Sequence, residues 1–416
     1  MGRNMKKSPL APENFPVMAV VEGLEIATAS TGIKYKNRDD LMIIKMIEGT
    51  SVAGFLTQSS TCSAPVEWCR KNLQSGDAIA LIVNAGNANA FTGAMGEMAV
   101  NECVNALADI LSCRPSRVFV ASTGVIGELL PHKLITAAIP EAIDSLSTSS
   151  PSSWEIAASS ILTTDTFPKG ASAKAFIGET EVSISGIAKG SGMIAPNMAT
   201  MLAFVFTDAK IPGNVLREIA EPILERTFNS ITVDSDTSTS DTFLLFATGA
   251  KRECPEVSKC EDPLLSDFKE KLEEVAHELA LQIVRDGEGA TKLISINVFG
   301  AANHSSAKKI GFTIANSPLF KTAASGADAN WGRIVMAIGK SEEPINREKI
   351  CIKIGNIKVA QDGMAITDYN EANVSKYMKS DNIDVMVDIG VGSGEAKIWT
   401  CDLSHGYISI NADYRS

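Results

Sequence analysis

Apolar residues recur along this chain in two rhythms. The first is a series of short runs rich in Val, Ile and Phe: "LMIIKMI", "AIALIVNAG", "RVFVAST", "EVSISGIA", "MLAFVFTDA", "TFLLFATGA", "LISINVFG" and "DVMVDIGVG". Runs of this length, closed by turn residues, predict strands. "KAFIGETEVSIS" reads as a hairpin. The second rhythm is helical. In 265–286, "LSDFKEKLEEVAHELALQIVRD", Phe268, Leu272, Val275, Leu279 and Ile283 recur at spacings of three and four, and Gly287 follows as a stop. A second helix is predicted over 214–227, with Asn214 as cap and Val215, Ile219 and Ile223 on one face, although Pro222 strains it. A third covers 96–113, "GEMAVNECVNALADILSC". The crossovers are irregular, so the pattern predicts layered α/β or α+β rather than a doubly wound parallel sheet. "SLSTSSPSSWE" (145–155) reads as an exposed linker.

Composition narrows the function. At 416 residues the chain exceeds one ordinary core, which implies two lobes or one large intertwined unit. A net charge of −11, with no run of Lys and Arg, argues against nucleic acid and against a membrane surface. No window holds the roughly 18 apolar residues of a membrane span. The basic start "MGRNMKK" has no apolar signal segment behind it, because Pro9, Pro12, Glu13 and Pro16 interrupt. A cytoplasmic location is the expectation. The eight cysteines form no C-x-x-C and are expected to be reduced and mostly buried. With only four dispersed histidines, no metal cluster is expected. "GEGATK" lacks the spacing of a phosphate loop, "DSDTSTSDT" lacks the sixth-position glycine and closing glutamate of a calcium loop, and "GVGSGE", behind a strand, is only a weak dinucleotide look-alike.

The chemistry concentrates at "GIAKGSGMIAPNMATMLAFVFTDA" (186–209), where a glycine-dense turn leads through Ala199–Thr200 into an apolar run. A threonine hydroxyl becomes a nucleophile only with a base in reach. An N-terminal threonine carries its own, an α-amine with a pKa of roughly 8. That amine exists only once the bond before Thr200 is cut. On local evidence alone, a loop before a strand explains the stretch better than a nucleophile does.

The stretch resembles the signature of the ornithine acetyltransferase family of arginine biosynthesis, also called bifunctional glutamate N-acetyltransferases. "VNAGNANAFTG" (83–93), "ASTGVIGELLP" (121–131), "ILTTDTFPK" (161–169), "TFNSITVDSDTSTSDT" (227–242), "GADANWGRI" (326–334) and "INADYRS" (410–416) are similar to further family motifs, in family order. The resemblance implies a layered αββα-type sandwich of the self-cleaving N-terminal-nucleophile kind, with a smaller C-terminal lobe. It implies cleavage between Ala199 and Thr200, giving an α chain (1–199) and a β chain (200–416) that stay together as an α2β2 heterotetramer. It makes Thr200 the nucleophile that takes acetyl from N-acetylornithine and passes it to glutamate. Thr123 and Gly124 become the oxyanion donors. Thr163, Lys189, Glu288, Asn411 and Ser416 become substrate contacts, with Lys189 the cationic and Glu288 the anionic one. No cofactor is implied, and acetyl-CoA stays open as a second donor. The alternative is a self-cleaving amidohydrolase or aminopeptidase that uses water as acceptor.

The chain departs from the family pattern at four positions. Ser416 stands where threonine is usual, Ser235 where glycine is more frequent, Ser240 where asparagine is, and Ala329 where proline is common. Ser235 would be strained if its backbone needs positive φ.

Overall fold

The computed structural model describes residues 6–195 and 201–412. Ala199, Thr200 and Ser416 lie outside them. The chain folds as two compact units, each with its own sheet. The larger comprises Pro12–Asn229 and Asp236–Ile283; the smaller comprises Lys6–Ala11, Ser230–Ser235 and the described part of Val284–Ser416.

Among the described residues, the larger unit holds a nine-stranded mixed sheet. Its strands are β1 (Leu24–Ala29), β2 (Leu41–Leu56), β3 (Asp77–Asn87), β4 (Val118–Val125), β5 (Ser147–Thr148), β6 (Lys169–Ile177), β7 (Thr180–Lys189), β8 (Leu202–Thr207) and β9 (Thr242–Ala247). The main path runs β4-β3-β2-β9-β8-β7-β6, with β1 on β2 and β5 on β1. β3/β4 and β8/β9 are parallel, and the other pairs are antiparallel. This is the predicted layered α/β class, and the predicted hairpin is β6–β7.

β8 and β9 are buried at every position, which explains why they read as unbroken apolar runs instead of alternating ones. Phe206 stacks on Phe246 with ring centroids 5.1 Å apart, and Phe119 meets Phe246 edge-on at 6.0 Å. The helices are α1 (Ala64–Asn72), α2 (Gly93–Leu111), α3 (His132–Asp144), α4 (Pro151–Ser160), α5 (Gly213–Arg226) and α6 (Ser266–Arg285). All five periodic residues of α6 are buried. Gln282 of this helix bonds both the N–H and the C=O of Gly170 on β6. α5 tolerates Pro222 because that position faces solvent, where the carbonyl one turn back can bond water. Its cap position is Pro212, not the expected Asn214.

One expectation is overturned. The supposed linker at 145–155 contains β5 and the first half of α4. Ser150 and Ser153 form a reciprocal capping box and Pro151 takes the first helical position, so the Ser/Pro content starts a helix. Trp154 is fully buried against Phe206, with ring centroids 5.6 Å apart.

In the smaller unit a six-stranded sheet runs β13-β12-β11-β14-β10-β15. These strands are β10 (Leu293–Ala301), β11 (Cys351–Ile354), β12 (Ile357–Gln361), β13 (Met364–Ala365), β14 (Asn382–Asp388) and β15 (Gly394–Cys401). β14 alternates exposed and buried residues throughout, so one of its faces carries core. α7 (His304–Ala315), α8 (Pro318–Ser325), α9 (Gly332–Lys340) and α10 (Glu371–Tyr377) supply the rest of that core, through residues such as Ile310, Phe320, Ile334 and Val374. α11 (His405–Asn411) closes the described part of the chain. Ser235 has φ 67°, so this departure does sit in left-handed backbone. Ser240 and Ala329 are both buried. All eight cysteines are free thiols, but four of them, Cys69, Cys103, Cys254 and Cys401, are buried, fewer than expected.

Candidate active site

β3 and β4 run parallel and carry the predicted oxyanion residues to their C-terminal ends, where Gly86 pairs with Gly124. Gly124 adopts φ 136°, and a Cβ there would lie 2.2 Å from the Gly86 carbonyl carbon. Only glycine satisfies both the conformation and the approach. Two residues before it, Ser122 Oγ donates to Asn84 Oδ1 at 2.6 Å, and Asn84 Nδ2 donates to the Asn87 carbonyl at 2.9 Å. The first bond ties β4 to β3 and the second fixes the Asn84 side chain against the end of its own strand.

Thr123 is nearly buried, and its Oγ1 accepts a hydrogen bond from Lys189 Nζ at 3.1 Å. An ammonium only donates, so the Thr123 O–H stays available as a donor. Lys189 ends β7 and pairs with Leu202 at the start of β8. Its Nζ also donates to Thr163 Oγ1 at 2.9 Å. Thr163 belongs to the loop between α4 and β6. The larger unit thus brings together Thr123, Gly124, Thr163 and Lys189, which are far apart in sequence.

Two residues of this cluster were missed in the sequence. Asp165 is fully buried and its Oδ1 lies 2.7 Å from Lys169 Nζ, while its Oδ2 lies 3.8 Å from Lys189 Nζ. Burial works to raise the Asp165 pKa, but the charges of Lys169 and Lys189 outweigh it and hold the carboxyl below the usual carboxylate range. The available signal was a carboxylate and an ammonium four residues apart in "DTFPK", a stretch with no other charge.

The smaller unit carries Glu288 and Asn411. Asn411 Nδ2 donates to Glu288 Oε2 at 2.6 Å, and Glu288 is 7% exposed. α11 docks closely on this loop: Gly289 has φ 75°, and a Cβ there would sit 2.4 Å from the Tyr407 nitrogen. Ser404 Oγ donates to the Gly289 carbonyl at 2.6 Å. The turn at Gly289 and the cap at Ser404 therefore fix Asn411 against Glu288.

A model described as "ArgJ family" matches residues 25–416. The arginine biosynthesis bifunctional protein ArgJ of Gluconobacter oxydans is 50% identical over 416 residues, covering 100% of this chain and 97% of that protein. The ArgJ protein of Caulobacter vibrioides is 51% identical over 405 residues, covering 97% and 100%. A crystal structure of the Bacillus halodurans ArgJ protein is 42% identical with a TM-score of 0.48, covering 50% of this chain and 96% of that one.

Proposed function

The chain belongs to the ArgJ family, and from that premise we propose an acetyl transfer carried by Thr200, after the chain has cut itself between Ala199 and Thr200 into residues 1–199 and 200–416. The protein is an acyltransferase of arginine biosynthesis. It moves acetyl from N2-acetyl-L-ornithine to L-glutamate, giving ornithine and N-acetylglutamate.

The cut itself follows the same chemistry as the turnover. The Thr200 hydroxyl adds to the Ala199 carbonyl, the C–N bond breaks, and the resulting ester is hydrolysed, leaving a free α-amine on Thr200. In turnover that amine takes the hydroxyl proton as Oγ1 attacks the acetyl carbonyl of acetylornithine. The tetrahedral oxyanion is met by the Thr123 O–H and the Gly124 N–H. Removing one such donor costs acyl-transfer enzymes roughly 100- to 1,000-fold. Collapse breaks the amide bond, and the ornithine amine leaves with a proton from the Thr200 ammonium. Acetyl now rests as an ester on Thr200, and the glutamate amine attacks it by the reverse sequence.

The Lys189–Thr123–Thr163 cluster carries this reading. It lies at the end of β7, whose antiparallel neighbour β8 begins two residues beyond Thr200. Lys189 and Thr163 serve as substrate contacts in the larger unit, where the ammonium suits a substrate carboxylate. Glu288 and Asn411 in the smaller unit, together with Ser416, are proposed as further contacts. The reaction needs no cofactor. The working assembly is α2β2, in the cytoplasm.

Intact mass spectrometry of wild type and Thr200→Ala tests the proposal. Two chains, the second beginning at Thr200, are expected from wild type, and one uncut chain from the variant. Equal cutting in both would defeat the self-processing claim. Supplied with acetylornithine and glutamate, the cut enzyme is expected to form acetylglutamate; release of free acetate instead would make it a hydrolase. Acetyl-CoA as sole donor, in the same assay, decides whether the enzyme also acetylates glutamate from that second donor.

A further inference from the structure

We propose that Asp165, clamped by Lys169, is the positioning residue that fixes the Lys189 ammonium between Thr123 and Thr163 and so aims the Thr123 hydroxyl. The inference rests on the roles given above to Lys189 and Thr123.

The Asp165 carboxylate joins three segments. Its Oδ1 accepts from Lys169 Nζ on β6 at 2.7 Å and from the Gly190 N–H, just past β7, at 2.6 Å. Its Oδ2 accepts from the Thr163 N–H at 3.1 Å and faces Lys189 Nζ at 3.8 Å. The loop holding Thr163, the start of β6 and the end of β7 are therefore tied through one side chain that has no exposure. The geometry divides the labour between the two lysines. Lys169 is itself fully buried, and it also donates to the Phe167 carbonyl at 3.3 Å. It is locked and holds the carboxylate still. Lys189 is 11% exposed and stands beyond hydrogen-bond distance of Asp165; its ammonium donates to the Thr123 and Thr163 hydroxyls while the carboxylate charge steers it. The Gly190 bond fixes the backbone one residue beyond Lys189, which limits where its stem can start. A merely structural counter-ion for Lys169 needs neither the Gly190 bond nor the Thr163 bond.

The competing role is charge balance alone. A buried Lys169 without its carboxylate is strongly unfavourable, so Asp165→Asn by itself is expected to melt lower. Adding Lys169→Met removes the stranded charge and is expected to restore the melting temperature. If Asp165 only balances Lys169, this double variant regains wild-type turnover. If it positions Lys189, the double variant folds but stays roughly 10- to 100-fold slow, mainly in kcat, because a displacement of about 1 Å at a reacting centre carries such factors.

A cycle with Lys189→Met makes the distinction sharp. The Asp165→Asn/Lys169→Met pair is expected to cost nothing further once Lys189 is gone, since it acts through that residue. All rates are taken per cut chain, and where cutting is itself slowed the same cycle is read on the cutting rate. An equal loss with and without Lys189, or full recovery in the double variant, overturns the inference and leaves the proposed function standing. A Lys189→Met enzyme as active as wild type overturns the role of Lys189, and this inference with it.

Discussion

Ser235 shows how one side chain can oppose its own backbone. Its φ of 67° belongs to the region that costs L-residues about 1–2 kcal/mol and glycine almost nothing. Ser235→Gly removes that strain but frees the unfolded chain, which offsets part of the gain. The expected net effect is stabilisation by about 0.5–1 kcal/mol in denaturant titration, with turnover unchanged. A loss of stability would mean that the serine hydroxyl holds something glycine cannot. Gly124 is the opposite case, a position where the residue and the backbone agree and where no substitute fits.

At the scale of elements, α4 is the most instructive. Its start depends on Ser150, whose Oγ accepts from the Ser153 N–H at 3.2 Å while the Ser150 N–H donates to Ser153 Oγ at 2.8 Å. Ser150→Ala is expected to cost about 1 kcal/mol by denaturant titration. A change under 0.3 kcal/mol would show that burial of Trp154 alone keeps the helix in place. The same element explains a misreading. Ser and Pro favour both loops and helix starts, and composition does not separate the two. A buried tryptophan four residues past the cap does separate them, but its burial is a tertiary fact. α6 needed no such help, because five apolar residues at helical spacing define one face.

Across the whole molecule, the proposed cut does not follow the boundary between compact units. β7 and β8 lie on opposite sides of the Ala199–Thr200 bond, yet they are hydrogen-bonded neighbours from Ile184↔Thr207 to Lys189↔Leu202. The buried pair β8/β9 continues the sheet on the far side. Separating the two chains would expose a central sheet edge together with its apolar faces. The cut chains are therefore expected to co-elute in size exclusion under native conditions and to separate only in denaturant. Dissociation in plain buffer would contradict this strand pairing.

The sequence alone determined what is local or written as contiguous chemistry. The strand runs and the α6 stripe were legible because neighbours in sequence carry the signal, and the continuous motifs named the site residues as candidates. Tertiary structure decided which of those motifs meet. The fold joins Thr123 on β4, Thr163 on a loop and Lys189 on β7 into one cluster although β4 and β7 are not neighbours in the sheet, and no local pattern in the sequence states such a contact. It also decided that Asp165 matters. A carboxylate in "TTDTF" looks like any turn residue until burial removes water and leaves two lysines and two backbone N–H groups as its surroundings. Burial converts an ordinary side chain into a fixed charge, and burial is a property of the folded whole.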